Sequence, residues 1–162
     1  MSKELTLRPL EAADNPAMAQ VIRTVMQEFA AVGEGYSIND PEVDALFETY
    51  DQPGSIFYVI LQDEKVMGGG GIAPLLGGPE GVCELKKMYF YPAIRGLGWG
   101  KKMVEACLTA ARQLGYRQCY LETIDRMTGA NALYRKLGFK KLTQAMGNTG
   151  HSSCEVWYVI DL

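Results

Sequence analysis

Residues 84–103 read "ELKKMYFYPAIRGLGWGKKM", which predicts a strand that ends at Pro92, a glycine-rich loop and the start of a helix. In the loop, Gly96, Gly98 and Gly100 occupy alternate positions. The first N–H groups of a helix have no partner within the helix, and the helix dipole favours negative charge there. Glycines let an anion reach those groups without meeting a Cβ atom. The stretch therefore predicts an anion-binding site, and a plain glycine-rich turn is the alternative.

The charges around this loop favour the binding site. Two lysines fall in the first turn of the predicted helix, where they oppose the helix dipole unless a polyanion is bound. Two familiar phosphate motifs do not fit the loop, because a Walker loop needs glycine where Arg95 stands and a dinucleotide fingerprint needs glycine where Lys101 stands. The basic residues in and beside the stretch are Lys86, Lys87, Arg95, Lys101 and Lys102.

The composition limits the class of protein. The 162 residues fit one domain with a sizeable core, and 48% of them are hydrophobic. A net charge of −3 argues against a general nucleic-acid binder, and no apolar run is long enough to span a membrane. The polar start "MSKELTLRPLEAAD" does not resemble a signal peptide. Four cysteines without a CxxC pair, and one histidine, indicate reduced thiols and no metal site. We therefore expect a cytoplasmic protein with no nucleic-acid or membrane partner.

Hydrophobic periodicity predicts one α/β domain over residues 1–162. "KELTLRPL" alternates as a strand does, and a first helix opens at Asn15. Asp40 is placed to cap a second helix that begins at Pro41 and continues to Tyr50. The full order is strand, two helices, three strands, helix, strand, helix and two strands, which predicts a mixed sheet.

Two motifs in this order resemble the GNAT superfamily of acyl-CoA-dependent N-acetyltransferases. "RGLGWG" matches the family signature Arg/Gln-x-x-Gly-x-Gly/Ala at Arg95, Gly98 and Gly100, and "ANALYRKLGFKKL" is similar to a later family motif. The segment "MGNTGHSSCEVW" resembles the tail of a bacterial subgroup of small members. The resemblance implies a mixed, mostly antiparallel central sheet of about seven strands flanked by about four helices.

The resemblance also implies acetyl-CoA as co-substrate and gives it a set of residues. Backbone amides from Leu97 to Lys101 would hold the pyrophosphate, and the backbone of Met88 and Phe90 would pair with the pantetheine arm. Asn131 would hydrogen-bond the cofactor; otherwise it is a polar residue of a first helical turn. The cofactor residues expected on this basis are Met88, Tyr89, Phe90, Arg95, Gly96, Leu97, Gly98, Trp99, Gly100, Lys101, Asn131 and Tyr134.

The catalytic residues that the resemblance implies are Tyr134 and Glu84. Tyr134 would protonate the departing thiolate, whereas without the family it reads as a half-buried packing aromatic. Glu84 would assist deprotonation of the amine, and its alternative is an ion pair with a neighbouring lysine. Glu122 on the next strand is a rival carboxylate, and His151 is a rival base if its imidazole is neutral. The Met88 backbone N–H is the expected donor to the oxyanion.

The resemblance also indicates where the acceptor would bind. In the family, the first helix and the loop after it read the acceptor, which points to Glu28, Tyr36 and Ser37. His151 lies between the last two predicted strands, a region that borders the acceptor in this family, or else it is an exposed loop histidine. The four glycines at 68–71 make room for the acceptor or form a bulge.

The resemblance therefore implies transfer of an acetyl group from acetyl-CoA to a primary amine of a small molecule, such as an amino acid or a polyamine, by direct attack in a ternary complex. A protein N-terminal or lysine acetyltransferase is one alternative, and a CoA-binding sensor module without turnover is another. The presence of both Tyr134 and Glu84 argues against the sensor. Family members are often dimers, which makes a homodimer an expectation here.

Overall fold

Seven strands form one sheet in the order β1-β2-β3-β4-β5-β7-β6, in a computed structural model that describes residues 4–162. Every neighbouring pair is antiparallel except β4 with β5. The predicted mixed, mostly antiparallel sheet is therefore confirmed. The strands are β1 (Leu5–Pro9), β2 (Ile56–Gln62), β3 (Lys65–Pro74), β4 (Val82–Phe90), β5 (Gln118–Thr123), β6 (Lys140–Leu142) and β7 (Val156–Asp161).

In residues 4–162, four α-helices cover the two faces of the sheet. They are α1 (Asn15–Glu28), α2 (Leu46–Tyr50), α3 (Trp99–Gln113) and α4 (Thr128–Lys136). The buried residues of α1 recur at helical spacing and pack with α2 on one face of the sheet, and α3 packs on the other. No helix in the described residues is long and apolar enough to cross a membrane. The number and order of the helices agree with the sequence prediction.

The second predicted helix differs from the observed structure. Pro41–Asp44 is a short 3₁₀ helix, and only Leu46–Tyr50 is α-helical. Asp40 precedes the 3₁₀ helix but makes no side-chain cap. Its carboxylate instead contacts Lys87, 47 positions along the chain, which capping rules do not anticipate. The first strand, predicted from Lys3, begins at Leu5 among the described residues, and Lys3 itself lies outside them.

The parallel pair β4–β5 is short, and this opens the sheet. Only three residue pairs join the strands, from Val82 with Gln118 to Glu84 with Tyr120. Beyond Glu84 the two strands carry no further ladder pairs, although β4 continues to Phe90. The sheet therefore opens between β4 and β5 on the side of the glycine loop.

A bulge in β4 lies where this opening begins. Gly69 pairs with Tyr89 and Gly71 pairs with Lys86, so two residues of β4 stand opposite Gly70. Lys87 is one of the two, and its φ of 56° is left-handed, which is uncommon for a residue with a side chain. The bulge changes the direction in which β4 presents its residues to the opening.

The four glycines of β3 provide close packing between layers. A Cβ atom on Gly69 would lie 2.7 Å from Met18 Sδ of α1, and one on Gly71 would lie 2.6 Å from the ring of Phe57. The sequence left open whether these glycines make room for an acceptor. The space that they leave is filled by side chains of the protein core.

Candidate active site

A groove between β4, the glycine loop and α4 has the dimensions of a site for an extended ligand. It contains about 1080 Å³, counting the part open to solvent, and its walls are mainly apolar. The groove begins where β4 and β5 separate, so the exposed edge of β4 forms one wall. Its lining includes Val25, Phe29, Met88, Tyr89, Phe90, Arg95, Gly96, Gly100, Met127, Gly129 and Leu133.

The glycine loop closes one end of the groove in the geometry that an anion needs. Gly96 and Gly98 have φ values of 75° and 85°, and a Cβ atom on either would meet no atom within 4 Å. Gly98 precedes the first residue of α3, and its carbonyl accepts from the Lys102 N–H at 3.3 Å. The preceding N–H groups of α3 have no acceptor within the helix. The residues therefore fit a pyrophosphate group.

The basic side chains of the loop are partly engaged by the protein. Arg95 makes a two-point ion pair with Glu28 at 2.7 and 2.8 Å, and its Nε donates to the Phe90 carbonyl at 3.0 Å. Lys102 Nζ lies 4.2 Å from the centre of the Trp99 ring. Lys101 and Lys136 line the outer part of the loop, and Lys136 was not predicted from the sequence.

Asn131 makes hydrogen bonds to the protein itself through both ends of its amide. Its amide nitrogen donates to the carbonyls of Ile124 and Met127 at 3.0 and 2.8 Å, and its oxygen accepts from the Tyr158 hydroxyl at 2.8 Å. Both amide hydrogens are thus used by the backbone before α4. These bonds stabilise the loop between β5 and α4, and the hydrogen bond from Asn131 to a cofactor stays a prediction.

Tyr134 is buried below the groove, and its hydroxyl faces a weak partner. The hydroxyl lies 3.8 Å from the thioether sulfur of Met88, which lines the groove. Phe139 and Tyr158 pack against the ring at centroid distances of 5.6 and 5.9 Å. Burial raises the pKa of Tyr134 above its ordinary value, so the hydroxyl stays protonated at neutral pH. The side chain is fixed and carries a proton.

A second cavity adjoins the groove and contains the predicted polar residues. It encloses about 450 Å³, counting the part open to solvent, and is lined by Tyr36, Glu84, Glu122 and His151. Glu28 is not in its lining, and its side chain is instead paired with Arg95 at the glycine loop. Of the three described acceptor-side candidates, Tyr36 and His151 therefore come together in this cavity with the two candidate bases, and Glu28 does not. The side chain of Ser37 lies outside the part of the chain that the structure describes.

Glu84 is a buried carboxylate with an altered affinity for protons. The residue is 4% exposed, and none of the hydrogen bonds found among the described residues involves its side chain. Burial raises the pKa of Glu84 to about 7, although Lys86 nearby works in the opposite direction. A carboxylate with a pKa near neutrality can accept a proton at physiological pH and release it again.

His151 lies between two carboxylates. Its Nε2 is 2.7 Å from Asp40 Oδ2, and its Nδ1 is 3.4 Å from Glu122 Oε1. Burial alone would lower the pKa of His151, but the contacts with Asp40 and Glu122 outweigh it and raise that pKa to about 9. The imidazole is therefore charged near neutral pH, which argues against its use as a general base.

Glu122 is held as an anion by neutral donors as well. The Thr149 and Tyr120 hydroxyls donate to its two oxygens at 2.5 and 2.6 Å. Burial would raise the pKa of Glu122, but the hydrogen bonds from His151, Thr149 and Tyr120 outweigh it and lower that pKa. The ligand atoms of Glu84, Glu122 and His151 lie within 4.8 Å of one another, a spacing that a metal ion could use. A histidine that binds a metal must be a neutral imidazole, whereas the contacts with Asp40 and Glu122 keep His151 protonated near neutral pH.

Two lysines of the β4 bulge complete the polar cluster. Lys87 is 1% exposed in its side chain, and its Nζ lies 2.6 Å from Asp40 Oδ2. Lys86 Nζ lies 2.8 Å from Glu42 Oε1. These contacts bring the segment after α1 onto β4, and they join residues 44 and 47 positions apart.

Comparison with known proteins identifies the architecture. Residues 20–139 match the Acetyltransferase (GNAT) family, a range that contains the groove and the glycine loop. The chain belongs to the GNAT family of acetyltransferases. Across 151 residues it is 47% identical to the uncharacterized N-acetyltransferase YjgM of Escherichia coli strain K12, covering 93% of this chain and 90% of that one. The IAA acetyltransferase of Azospirillum brasilense is 30% identical over 79% of this chain and 82% of its own.

Solved GNAT structures share the fold. A GNAT acetyltransferase of Staphylococcus aureus Mu50 superposes with a TM-score of 0.86 at 18% identity, over 98% of this chain and 99% of its own. The yncA protein of Salmonella typhimurium, solved with its cofactor acetyl-CoA, gives a TM-score of 0.77 at 20% identity over 98% and 94%. At these identities the likeness establishes the fold only.

The GNAT match ends before part of the polar cluster. The matched residues 20–139 include Glu84 and Tyr134, but His151 lies beyond them. Sequence reasoning missed Asp40, Glu42 and Lys87 as members of the site, because each makes its contact with a distant segment. The one local signal was "KK" within an otherwise apolar strand, where a buried lysine needs a carboxylate partner.

Proposed function

We propose that this GNAT acetyltransferase transfers the acetyl group of acetyl-CoA to a primary amine of a small molecule, such as an amino acid or a polyamine. One observation carries the proposal: the apolar groove and the polar cavity adjoin each other and share Tyr89 and Met127 as lining. A ligand in the groove and a ligand in the cavity would meet beside the β4 bulge. Such contact allows direct attack within a ternary complex.

The groove supports binding of acetyl-CoA. The glycine loop offers unpaired N–H groups at the start of α3 for the pyrophosphate, and the open edge of β4 offers backbone groups for an amide-containing arm. When bound, acetyl-CoA supplies the acetyl thioester. Lys101 and Lys136 at the outer end of the loop add positive charge where the phosphates would lie. Arg95 contributes mainly by fixing the loop, because its charge is paired with Glu28.

Glu84 is the proposed base of the acceptor site. It is buried beside the bulge, and its pKa near 7 suits removal of a proton from a bound ammonium group at neutral pH. Each of the neighbouring cations Lys86, Lys87 and His151 already contacts a carboxylate other than Glu84. The negative charge of Glu84 is therefore the one that a cationic acceptor would meet.

Tyr134 is the proposed acid. Its hydroxyl keeps its proton and points at the sulfur of Met88, so it is directed toward a sulfur atom in the groove wall. Donation from this hydroxyl would neutralise the thiolate that leaves when the acetyl group is transferred. The Met88 N–H in the bulge is the proposed donor to the carbonyl oxygen during attack.

The surroundings of the cavity favour a small acceptor. The loop after α1 and the loop before β7 are joined above the cavity: the Ser153 N–H donates to the Gly35 carbonyl at 3.0 Å, and the Ser153 hydroxyl donates to the Glu34 carbonyl at 2.9 Å. Glu84, Lys86 and His151 also line a further opening beside Pro74 and Leu76. A small amine could enter there while the groove is occupied.

Calorimetric titration with acetyl-CoA and with CoA tests the cofactor half of the proposal. We expect micromolar binding by the wild-type protein and loss of binding in Gly98→Glu, because the new side chain would extend into the space left for phosphate. Gly115→Glu is the matched control: Gly115 has a φ of 89° beside 85° for Gly98, a Cβ at either meets nothing within 4 Å, and Gly115 lies at the far end of α3. No binding by the folded wild type would overturn the proposal.

Release of free thiol from acetyl-CoA, measured with a panel of amino acids, polyamines and lysine-containing peptides, tests the acceptor half. We expect turnover with at least one small amine and little with peptides. Efficient turnover of peptides together with inactivity toward all small amines would replace the proposal by a protein acetyltransferase.

A further inference from the structure

Asp40 makes contacts that none of the expected roles explains. One oxygen of its carboxylate, Oδ2, lies 2.6 Å from Lys87 Nζ and 2.7 Å from His151 Nε2. A single carboxylate oxygen thus accepts from two cationic groups, one on β4 and one on the loop before β7. These partners lie 47 and 111 positions away in the chain, so the contacts join three segments.

Each partner of Asp40 is in a position that matters for the reaction proposed above. Lys87 occupies the left-handed position of the β4 bulge with a φ of 56°, directly before Met88. His151 is the cation between Asp40 and Glu122, and it lines the cavity together with Glu84. A change at Asp40 is therefore transmitted to the bulge and to the charge beside the proposed base.

We propose that Asp40 is a positioning residue of the acceptor site, which holds His151 as an imidazolium beside Glu84 and anchors it to the Lys87 bulge. Asp40 does not touch the reacting atoms; it acts through His151 and Lys87. This inference rests on the proposed function only where it concerns the role of Glu84 as base. The tie between Asp40 and His151 stands on the geometry alone.

The charges that face His151 come from every element around it. Two carboxylates contact its ring, whereas the positive Lys87 opposes its protonation. The positive charge of His151 in turn lowers the pKa of Glu84, against the larger effect of burial. If Asp40 loses its charge, His151 loses its shortest contact and gives up its proton at lower pH. The titratable groups facing the site are Tyr36, Asp40, Glu42, Glu84, Lys86, Lys87, Tyr89, Tyr120, Glu122 and Cys154.

The single histidine of the chain makes this inference directly measurable. An NMR titration of a ¹³C,¹⁵N-labelled sample reports the pKa of His151 without assignment ambiguity. We expect Asp40→Asn to lower this pKa by about two to three pH units, from about 9 to near 6.5 or below, since a close carboxylate shifts a titrating neighbour by up to that order. Asp44→Asn is the matched control, because Asp44 lies in the next 3₁₀ helix and pairs with Arg23 on the exposed surface. It should leave His151 unchanged.

The second measurement is the pH dependence of kcat/KM for the acceptor. Loss of the imidazolium raises the pKa of Glu84, so the rising limb of the profile should move to higher pH in Asp40→Asn, lowering kcat/KM at pH 6.5 about three- to tenfold. His151→Gln should move the limb in the same direction, and Asp40→Asn added to His151→Gln should move it little further. The KM for acetyl-CoA should stay within about twofold, which a general loss of structure would not allow.

An unchanged pKa of His151 in Asp40→Asn would overturn the inference, as would a lowered pKa without any movement of the kinetic limb. If the wild-type protein acetylates no amine, the proposed function fails, while the titration of His151 still decides whether Asp40 holds the imidazolium. Circular dichroism of both asparagine variants establishes that they fold.

Discussion

At the scale of single residues, the surroundings of one cavity shift the pKa values of two carboxylates in opposite directions. Glu84 is buried without a hydrogen-bond donor among the described residues, which raises its pKa to about 7. Glu122 receives donors from Thr149, Tyr120 and His151, which outweigh its burial and lower its pKa. Groups whose environments separate their pKa values in this way take different roles in catalysis. Glu84 is suited to accept a proton, and Glu122 is suited to hold His151.

The separation of these two pKa values predicts how kcat/KM for the acceptor depends on pH. A base works when ionised, so kcat/KM for the acceptor should rise up to tenfold per pH unit below about 7 and level off above it. Glu84→Gln should remove the rising limb and lower kcat about 100-fold or more. Glu122→Gln should keep the limb, because Glu122 is already ionised across this range. Steady-state rates from pH 5.5 to 8.5 check this, and a limb that persists in Glu84→Gln but vanishes in Glu122→Gln would make Glu122 the base.

Tyr134 carries a second prediction at this scale. Tyr134→Phe removes only the hydroxyl, whose partner is the weak acceptor Met88 Sδ, so the variant should fold and should bind acetyl-CoA within about twofold of wild type. Its kcat should fall about tenfold to 100-fold. Tyr116→Phe is the control, since the Tyr116 hydroxyl donates to the Gly54 carbonyl outside the site. Equal rates for Tyr134→Phe and wild type would remove Tyr134 from the mechanism.

At the scale of elements, the sequence predicted what is encoded locally. The glycine loop between β4 and α3 could be read directly, because strand, Pro92, alternate glycines and helix periodicity are adjacent in the chain. The Lys87 bulge could not be read, since a lysine has no intrinsic preference for a left-handed φ and its stabilising partner Asp40 lies 47 positions away. The ion pair of Arg95 with Glu28 could not be read either, because Glu28 lies 67 positions away in the chain.

The glycine segment of β3 gives the prediction that belongs to this scale. Gly71→Ala should destabilise the protein by about 2 kcal/mol or more, since its Cβ would lie 2.6 Å from the Phe57 ring and 2.7 Å from the Ile56 carbonyl. Gly129→Ala is the control: it lies in α4 with nothing within 4 Å, and should stabilise by about 0.5–1 kcal/mol. Urea denaturation of both variants measures the difference. A stabilised Gly71→Ala would show that β3 tolerates a wider spacing between layers.

At the scale of the whole molecule, the proposed active site lies where distant parts of the chain meet. β4 supplies Glu84 and the bulge, the segment after α1 supplies Asp40, and the loop before β7 supplies His151. The fold and the groove could be predicted because they follow from element order and one local motif. The charge network could not, because ion pairs between elements depend on where the finished sheet brings the loops. The site therefore contributes its own pH dependence to folding.

The last prediction concerns that dependence, and its sign differs for the two kinds of group. Asp40 has its pKa lowered to about 2, because His151 and Lys87 outweigh burial, so its contribution to stability is present above pH 4 and is lost in acid. His151 has its pKa raised to about 9, so its contribution is complete below its ordinary value of 6.5 and is lost as the pH rises to 9. Glu84 has its pKa raised to about 7, so its ionisation between pH 4.5 and 7 costs stability.

The free energy of unfolding should therefore be greatest near pH 5 and should fall by several kcal/mol by pH 8.5, with roughly 2 kcal/mol from each of His151 and Glu84. Urea denaturation at pH 5, 7 and 8.5 measures it. Glu84→Gln should remove the part of the decrease between pH 5 and 7, and His151→Gln the part between pH 7 and 8.5. Stability that rises from pH 5 to 8.5 in the wild type would contradict a buried neutral Glu84 and a buried charged His151 together, because each opposes such a rise.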